Sequence, residues 1–510
     1  MTRQIHLLPM LAISLLGVCT QTATARDSNS LMDISADGRL LACSNRDSGT
    51  VTIVDLKTLK TTHETRVGTH PEGVAFLGQS HRLAVAIYND DQIALLDADT
   101  GKLIHRVEVF DEPYGIVSNR DGSRYYVTLE FPGKIAEISD TGDVLRQFPA
   151  GSFPRGLALT PDGKTLYTSE YYTAQVNAID VASGKIVDSW TGASTDNLCR
   201  QIVLHPTRPK AYIPHIRSRI AAAQGEGSIF PYVGVVDTKK GEGRRRKRIP
   251  MDSFLGNLVT SNPWEIDVSA DGKQFYVVFS GTDDLFICDT VDDDYTEIAY
   301  RRRLTVGHNP RAVRVSPDGR RFFVYNALDF NVVAYDAKTA RPLATIPVTK
   351  NPLSAELHRG KILFYTALQP MVGRRWISCS SCHPDGDSDG RTWQNPEGLR
   401  ATPPLFGLAW THPLHWSADR DETQDFEHTI RGPLMQGRGL VRGPINKSLE
   451  QPNKGLSVDL DALAAYTNSH HFTKSPFARN GLGPSAQRGR SLFLSKKLAC
   501  ATCHSGPFYT

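Results

Sequence analysis

The chain has 510 residues, 40% hydrophobic and 22% charged, a globular composition that excludes wholesale disorder, and a length beyond one ordinary compact domain. Fifty-eight Lys and Arg against 54 Asp and Glu leave a formal charge of +4, far from the basic stripe of a nucleic-acid binder, and that class is excluded. Eight cysteines are few for a disulfide scaffold, yet four of them fall in two short spacings near the C-terminus.

In chain order, the first segment is 1–25. Arg3 and His6 precede an apolar stretch over 7–18, and small and polar residues end in Ala23-Thr24-Ala25 before Arg26. This is the order of a secretory signal peptide, with cleavage expected after Ala25, and its apolar part is too short to span a bilayer. A lipoprotein site at Leu16-Gly17-Val18-Cys19 is the lesser reading, because Val18 is bulky where a small residue is wanted. No later apolar run reaches membrane-spanning length, so the expectation is a periplasmic protein without a membrane span.

Next comes a repeat. Asp-Gly recurs at Asp37-Gly38, Asp121-Gly122, Asp162-Gly163, Asp271-Gly272 and Asp318-Gly319, at spacings consistent with a unit of about forty residues. Over 154–168 an alternating strand, a tight Asp-Gly turn and a second alternating strand follow one another, then a third strand at Val176–Asp180 and a Ser183-Gly184 turn into a fourth. Four antiparallel strands per unit predict an all-β propeller over 26–369. Unit starts fall near Leu31, Pro71, Pro113, Pro154, Leu198, Pro263, Pro310 and Pro352. The last unit is only two strands long, which gives seven blades, or eight if that pair is counted. The strand Arg124-Tyr125-Tyr126-Val127-Thr128 and its counterparts resemble the YVTN-type propeller family, which implies the fold over 31–367 and leaves function open.

One blade is interrupted between Ser218 and Pro250 by a loop ending Arg244-Arg245-Arg246-Lys247-Arg248. The expectation is a solvated charged loop; its other use is to steer an acidic redox partner. His63, His70, His81, His105, His205 and His215 show no ligand spacing.

Beyond Pro370 the alternation stops, and 370–510 reads as a second domain. It contains Cys379-Ser380-Ser381-Cys382-His383 and Cys500-Ala501-Thr502-Cys503-His504. Two thiols three residues apart on a helical turn reach the two vinyl groups of one porphyrin, and the adjacent His lies under the iron as axial ligand. The expectation is therefore two c-type haems, with Cys379, Cys382, Cys500 and Cys503 as covalent anchors and His383 and His504 as iron ligands. A zinc site built from the two cysteine pairs leaves both histidines unexplained, and thioredoxin-like chemistry wants a βαβ surround that is absent. Of the others, Cys19 leaves with the signal, and Cys43, Cys199 and Cys288 can form at most one disulfide.

Between the motifs, Arg400-Ala401-Thr402-Pro403-Pro404-Leu405, then His415-Trp416-Ser417-Ala418-Asp419-Arg420 and the stretch 424–435, resemble the bacterial di-haem cytochrome c peroxidase family, which includes the MauG-type enzymes. Ala486-Gln487-Arg488-Gly489-Arg490 before the second motif fits the same likeness, which spans 379–510. The resemblance implies a mostly α-helical cytochrome c-like di-haem domain. It implies Trp416 as an electron relay between haems, Arg420 as the arginine of that motif, a calcium ion between the haems, and a small redox protein as electron donor or acceptor. It also implies peroxidase chemistry.

The sequence departs from the family at several places. No histidine follows His383 until His412; His412, His415, His428 and Met435 are the candidate distal ligands. Gln436 stands where the family has an acid/base Glu, and Gln cannot transfer a proton in that way; Glu422 and Glu427 are the possible replacements. Six residues follow His504, none of them His or Met, so a C-terminally incomplete domain is expected. Two classes of function stand against each other: a peroxidase-like oxidoreductase, and an electron-transfer module whose propeller is a docking platform. A site inside the propeller channel ranks below both, since no constellation of carboxylates or histidines converges in the repeats.

Overall fold

The computed structural model describes residues 28–219, 229–239, 246–252, 259–291, 296–395 and 398–506. The expected signal and Arg244-Arg245 of the basic run lie outside these residues.

Seven antiparallel sheets, at 32–66, 71–108, 113–149, 154–190, 196–250, 263–305 and 310–347, form a seven-bladed propeller. Six have four strands and the fifth has five. The innermost strands Pro71–Phe76, Pro113–Ser118, Pro154–Leu159, Pro263–Val268 and Pro310–Val315 are buried along their whole length. Each opens at the predicted proline, a residue tolerated at a strand's first position because no ladder donor is required there. Outermost strands such as Lys60–Arg66 face solvent and are polar.

The repeated turn has a mechanism. At Asp37, Asp162, Asp271 and Asp318 the carboxylate accepts a 2.6 Å hydrogen bond from the hydroxyl two residues earlier. The following glycine takes φ between +67° and +72°, which favours Gly, and its N–H returns to that same hydroxyl residue's carbonyl at 2.8 Å.

Each pair of adjacent blades shares an apolar cluster, and the ring closes in the same way. Leu31, Met32, Ile34 and Leu41 of the first blade pack on Phe323, Tyr325 and Ile346 of the seventh. The chain after Pro347 neither closes the ring nor adds an eighth unit. Instead of the expected strand pair near Pro352, residues Ala355–Tyr365 form helix α1, capped by Ser354, whose hydroxyl accepts from the Leu357 N–H.

The fifth blade corrects a second expectation. The stretch 218–250 is not loop throughout, because Ile229–Asp237 and Arg246–Pro250 are paired strands. Arg246 donates to the Trp190 carbonyl (2.9 Å), Arg248 pairs with Asp196 (2.9 Å) and Lys247 with Glu297 (3.3 Å). The described part of the basic run, Arg246 to Arg248, is thus engaged within the chain.

Residues Ser28, Asn29, Ser30 and Leu31 cross the central channel. Asn29 N–H donates to the Leu157 carbonyl, Ser30 Oγ to Glu265 (2.7 Å), and Arg314 Nη2 to the Ser28 carbonyl (3.1 Å). This segment links the fourth, sixth and seventh blades.

The remainder lies against one mouth of the channel. Its helices are α1, α2 (Cys379–Cys382), α3 (Glu427–Arg431), α4 (Val458–Asn468), α5 (Pro484–Phe493) and α6 (Cys500–Cys503). α1 packs on α4, with Phe364 and Tyr365 against Tyr466. The region is helical in short pieces rather than mostly helical, with a two-stranded hairpin at Thr392–Asn395 and Gly398–Ala401. Pro403, Pro404, Pro413, Pro433, Pro444 and Pro452 keep helices from extending. Among the described residues no helix is long and apolar enough to cross a membrane.

Candidate functional site

The first cysteine motif is built into the propeller. Asn262, at the entry to the sixth blade, donates to Ser378 Oγ (3.1 Å) and accepts from Ser381 Oγ (3.0 Å), so one buried amide holds two of the hydroxyls around Cys379. The Ser378 N–H donates to Ser381 Oγ (3.0 Å) and starts the helical turn. His383 N–H then returns to the Cys379 carbonyl at 2.9 Å, leaving Cys379, Cys382 and His383 on one turn.

Asp385, two residues on, points back into the channel mouth at φ +55°. Its carboxylate accepts from Arg46 Nη1 and Nη2 (3.1 and 2.9 Å), Arg311 Nη2 (3.2 Å) and the Tyr365 hydroxyl (2.6 Å). Burial works to raise this carboxyl, but the Arg46 guanidinium overcomes it and holds the group far below the ordinary range. Gly386 follows because the His470 ring lies where a Cβ would stand, 2.0 Å away, and φ is +86°. Further along, Asp389 N–H donates to the Cys382 carbonyl (3.0 Å), and its carboxylate accepts from Trp393 Nε1 (3.0 Å).

Both thiols are unpaired and partly exposed, and they pack on an apolar cluster that includes Tyr171, Leu198, Trp376, Trp393, Leu405 and Met435. Burial pushes Cys379 up to about 12 and Cys382 well above the usual thiol value, so both are neutral. Burial pushes His383 down to about 4, against the weaker opposing pull of the Pro403 carbonyl. The His383 Nδ1 is buried without a hydrogen-bond partner. The ring is a neutral imidazole near pH 7, the form that ligates metals.

Below the motif, guanidinium and aromatic groups alternate across the channel mouth. Arg155 lies over Tyr114 and Tyr171 (4.8 and 3.6 Å), Arg200 between Tyr171 and Trp264 (5.2 and 4.0 Å), and Arg311 between Trp264 and Tyr365 (4.3 and 4.8 Å). Nothing in local spacing marks these residues, which come from five blades and α1.

The second motif has the same turn and none of this support. His504 N–H returns to the Cys500 carbonyl at 3.0 Å, but Cys503 and His504 are exposed, and α5 before them buries no residue. Its segment is tied to the propeller upstream, through an Arg479–Asp91 ion pair and the Phe477 ring against Phe110 (5.3 Å).

Trp416 is 54% exposed on a hairpin, with its ring N–H on the Ala401 carbonyl (2.8 Å), and Arg420 on the same hairpin donates to Ser448 (3.0 Å). Among the distal candidates, His412, His415 and His428 are bonded to Asp421, Asp419 and Asn446, while Met435 shares the apolar cluster of Cys379 and Cys382. Glu427 is fully buried and accepts from Arg431 and from the Leu440 and Val441 N–H groups; Glu422 accepts from the Asn453 and Lys454 N–H groups. His470 was not singled out in the sequence, yet its ring abuts Gly386, Phe364 and Tyr466. Cys43, Cys199 and Cys288 are buried, unpaired thiols. Among the described residues no group of three or more His, Cys, Asp or Glu is placed to hold a metal ion, so the two cysteine pairs do not meet in one four-ligand site.

No protein-family model matches the chain. It is 28% identical over 330 residues to hydrazine synthase subunit beta of Kuenenia stuttgartiensis, covering 59% of this chain and 84% of the relative. It is 23% identical over 335 residues to the seven-bladed beta-propeller protein Rv1057 of Mycobacterium tuberculosis, covering 60% and 81%. A solved structure of Kuenenia stuttgartiensis hydrazine synthase superposes with a TM-score of 0.55 at 25% identity, over 64% of this chain and 99% of the other. These shares are close to the fraction of the chain that the seven sheets occupy.

Proposed function

We propose that the protein is an exported periplasmic c-type cytochrome with two covalently attached haems, a peroxidase-like oxidoreductase that passes electrons from a small redox protein to peroxide or another oxidant. The observation that carries the reading is the first motif: two neutral, unpaired thiols and a neutral imidazole on one turn, edged by an apolar cluster. The residues fit the group. Cys379 and Cys382 would anchor it, and His383, a neutral imidazole with a buried ring nitrogen that has no partner, would be the iron's protein ligand. Bound haem supplies one-electron chemistry at its iron. Arg46, Arg311 and Tyr365, through Asp385, fix the turn, so the axial histidine is held against the propeller.

The second reading is an electron-transfer module without its own catalysis. One observation favours it: the Glu427 and Glu422 carboxylates are taken up by loop N–H groups, which leaves neither free to move a proton. A propeller that is one subunit of a larger synthase, as the name of the Kuenenia stuttgartiensis relative states, suits a docking platform.

The test is to express the chain with its leader in a haem-attaching periplasm and measure covalent haem, spin state and peroxide turnover with a reduced donor. A high-spin, ligand-accessible haem with turnover supports the enzyme. Two six-coordinate low-spin haems without turnover support the module. Unmodified Cys379, Cys382, Cys500 and Cys503 overturn both.

A further inference from the structure

Arg200, behind the first motif, is 4% exposed and differs from the guanidiniums around it. Arg46 is paired with Glu72 (2.8 Å) and Asp385 (2.9 Å), Arg155 with Glu130 (2.9 Å) and Arg311 with Asp385 (3.2 Å). Arg200 meets no carboxylate among the described residues. It donates Nη1 to the Leu198 carbonyl (3.3 Å) and Nη2 to the Tyr171 hydroxyl (3.1 Å), and its Nε is buried without a hydrogen-bond partner. A buried cation without a counter-charge is strongly disfavoured, and natural proteins pair such groups or coordinate a ligand with them.

Its place points to that ligand. Leu198, which accepts from Arg200, and Tyr171, which Arg200 overlies, belong to the apolar cluster on which Cys379 and Cys382 pack. The neighbouring Asn197 donates to the Asp389 carbonyl (2.9 Å), and the Asp389 N–H donates to the Cys382 carbonyl (3.0 Å). A free Nε–H beside Nη2 is the edge of a guanidinium that takes a carboxylate in two parallel hydrogen bonds.

We propose that Arg200 is the counter-charge for a carboxylate of the group attached at Cys379 and Cys382, namely a haem propionate, which makes the propeller part of the first haem pocket. The proposal rests on the haem reading above. A fixed positive charge there favours the reduced iron and keeps the propionate ionised.

The experiment uses the full-length haem-loaded chain, R200Q and R200K, each also in a Cys379→Ala/Cys382→Ala background. Haem at the first motif is read from the mass of the peptide bearing Cys379 and Cys382. The midpoint potential of that haem is followed over about pH 5 to 8, where a propionate freed of its cation titrates, together with the thermal midpoint. R200Q is expected to keep its haem while the potential falls and becomes pH-dependent, and R200K to recover part of the loss. R200Q should lower the thermal midpoint of the haem-loaded chain and raise that of the cysteine-free chain, where the charge has no partner. A haem-loaded R200Q with the wild-type potential and pH profile overturns this proposal alone. So does an equal thermal change with and without the haem, which assigns Arg200 to a free anion or to structure. A wild-type chain with unmodified Cys379 and Cys382 overturns the proposal together with the reading beneath it.

Discussion

Cys379–Cys382 and Cys500–Cys503 are the same four-residue turn, each with its histidine N–H returning to the first cysteine carbonyl, at 2.9 and 3.0 Å. Around the first, Asn262, Arg46, Arg311 and Tyr365 converge from the propeller and α1. Around the second, Phe477, Leu492, Leu494 and Leu498 are exposed. A short motif therefore fixes only its own helical turn. Whether that turn becomes a rigid pocket is decided by residues far away in the chain, which fold over it or do not.

The sharpest way to break this contrast is Asp385→Asn, which removes the anion shared by Arg46 and Arg311. Arg46 keeps Glu72, but Arg311 loses the carboxylate it is paired with, and a buried charge left uncompensated costs about 3–5 kcal/mol, whereas Arg490→Ala near the second motif should stay within about 0.5 kcal/mol. Urea unfolding measures both, and equal losses would erase the distinction. Asn262→Ala comes next, at about 1–3 kcal/mol, because buried Ser381 Oγ loses an acceptor and Ser378 Oγ a donor. If the motifs carry haem as proposed, it should perturb the absorption of a haem at Cys379–Cys382 and leave one at Cys500–Cys503 unchanged.

A pH series probes the tether of the second segment. Burial, then the charges of Glu130 and Asp111, push Glu112 from 4.5 up to about 8, beside the Asp91–Arg479 pair. The folded protein thus holds a proton that the unfolded chain releases. Stability contributed by this group is full below pH 4.5, falls as pH rises, and is lost above about 8. Differential scanning calorimetry should show the downward slope flattened in Glu112→Gln. The smallest structural effect is expected for Trp416→Phe, within about 0.5 kcal/mol for an exposed position. If Trp416 relays electrons between the two motifs, flash reduction should show slower internal transfer with unchanged spectra; an unchanged rate removes it from the path.

Much of the propeller was legible because its code is local. Five innermost strands open at predicted prolines, and the Asp-Gly turns fall where expected; the hydroxyl residue two places before four of those aspartates was an unused signal. Ser354, a cap before a run with apolar residues at Leu357, Ile362 and Leu363, is an equally local signal for α1, whereas the repeat period extended past Pro347 predicts strands there. The cysteine motifs were also readable, being contiguous. What supports the first one was not. Asp385 is bound by Arg46, 339 residues earlier, and Ser381 by Asn262, 119 residues earlier, separations that no spacing rule reaches. Arg200 carries no local mark either; it stands out only because its neighbours have carboxylates and, among the described residues, it has none.

The segment in the channel carries a consequence for the order of assembly. Ser30 waits for Glu265, 235 residues later, and Ser28 for Arg314, 286 residues later. The first described residues to leave a ribosome thus complete their set of contacts only when the seventh blade exists. Until then the seventh-blade end of this spoke across the hub has no partner, and a chain halted at the sixth blade would present an open seam, with Leu31, Met32, Ile34 and Leu41 uncovered, to whatever quality control surrounds it.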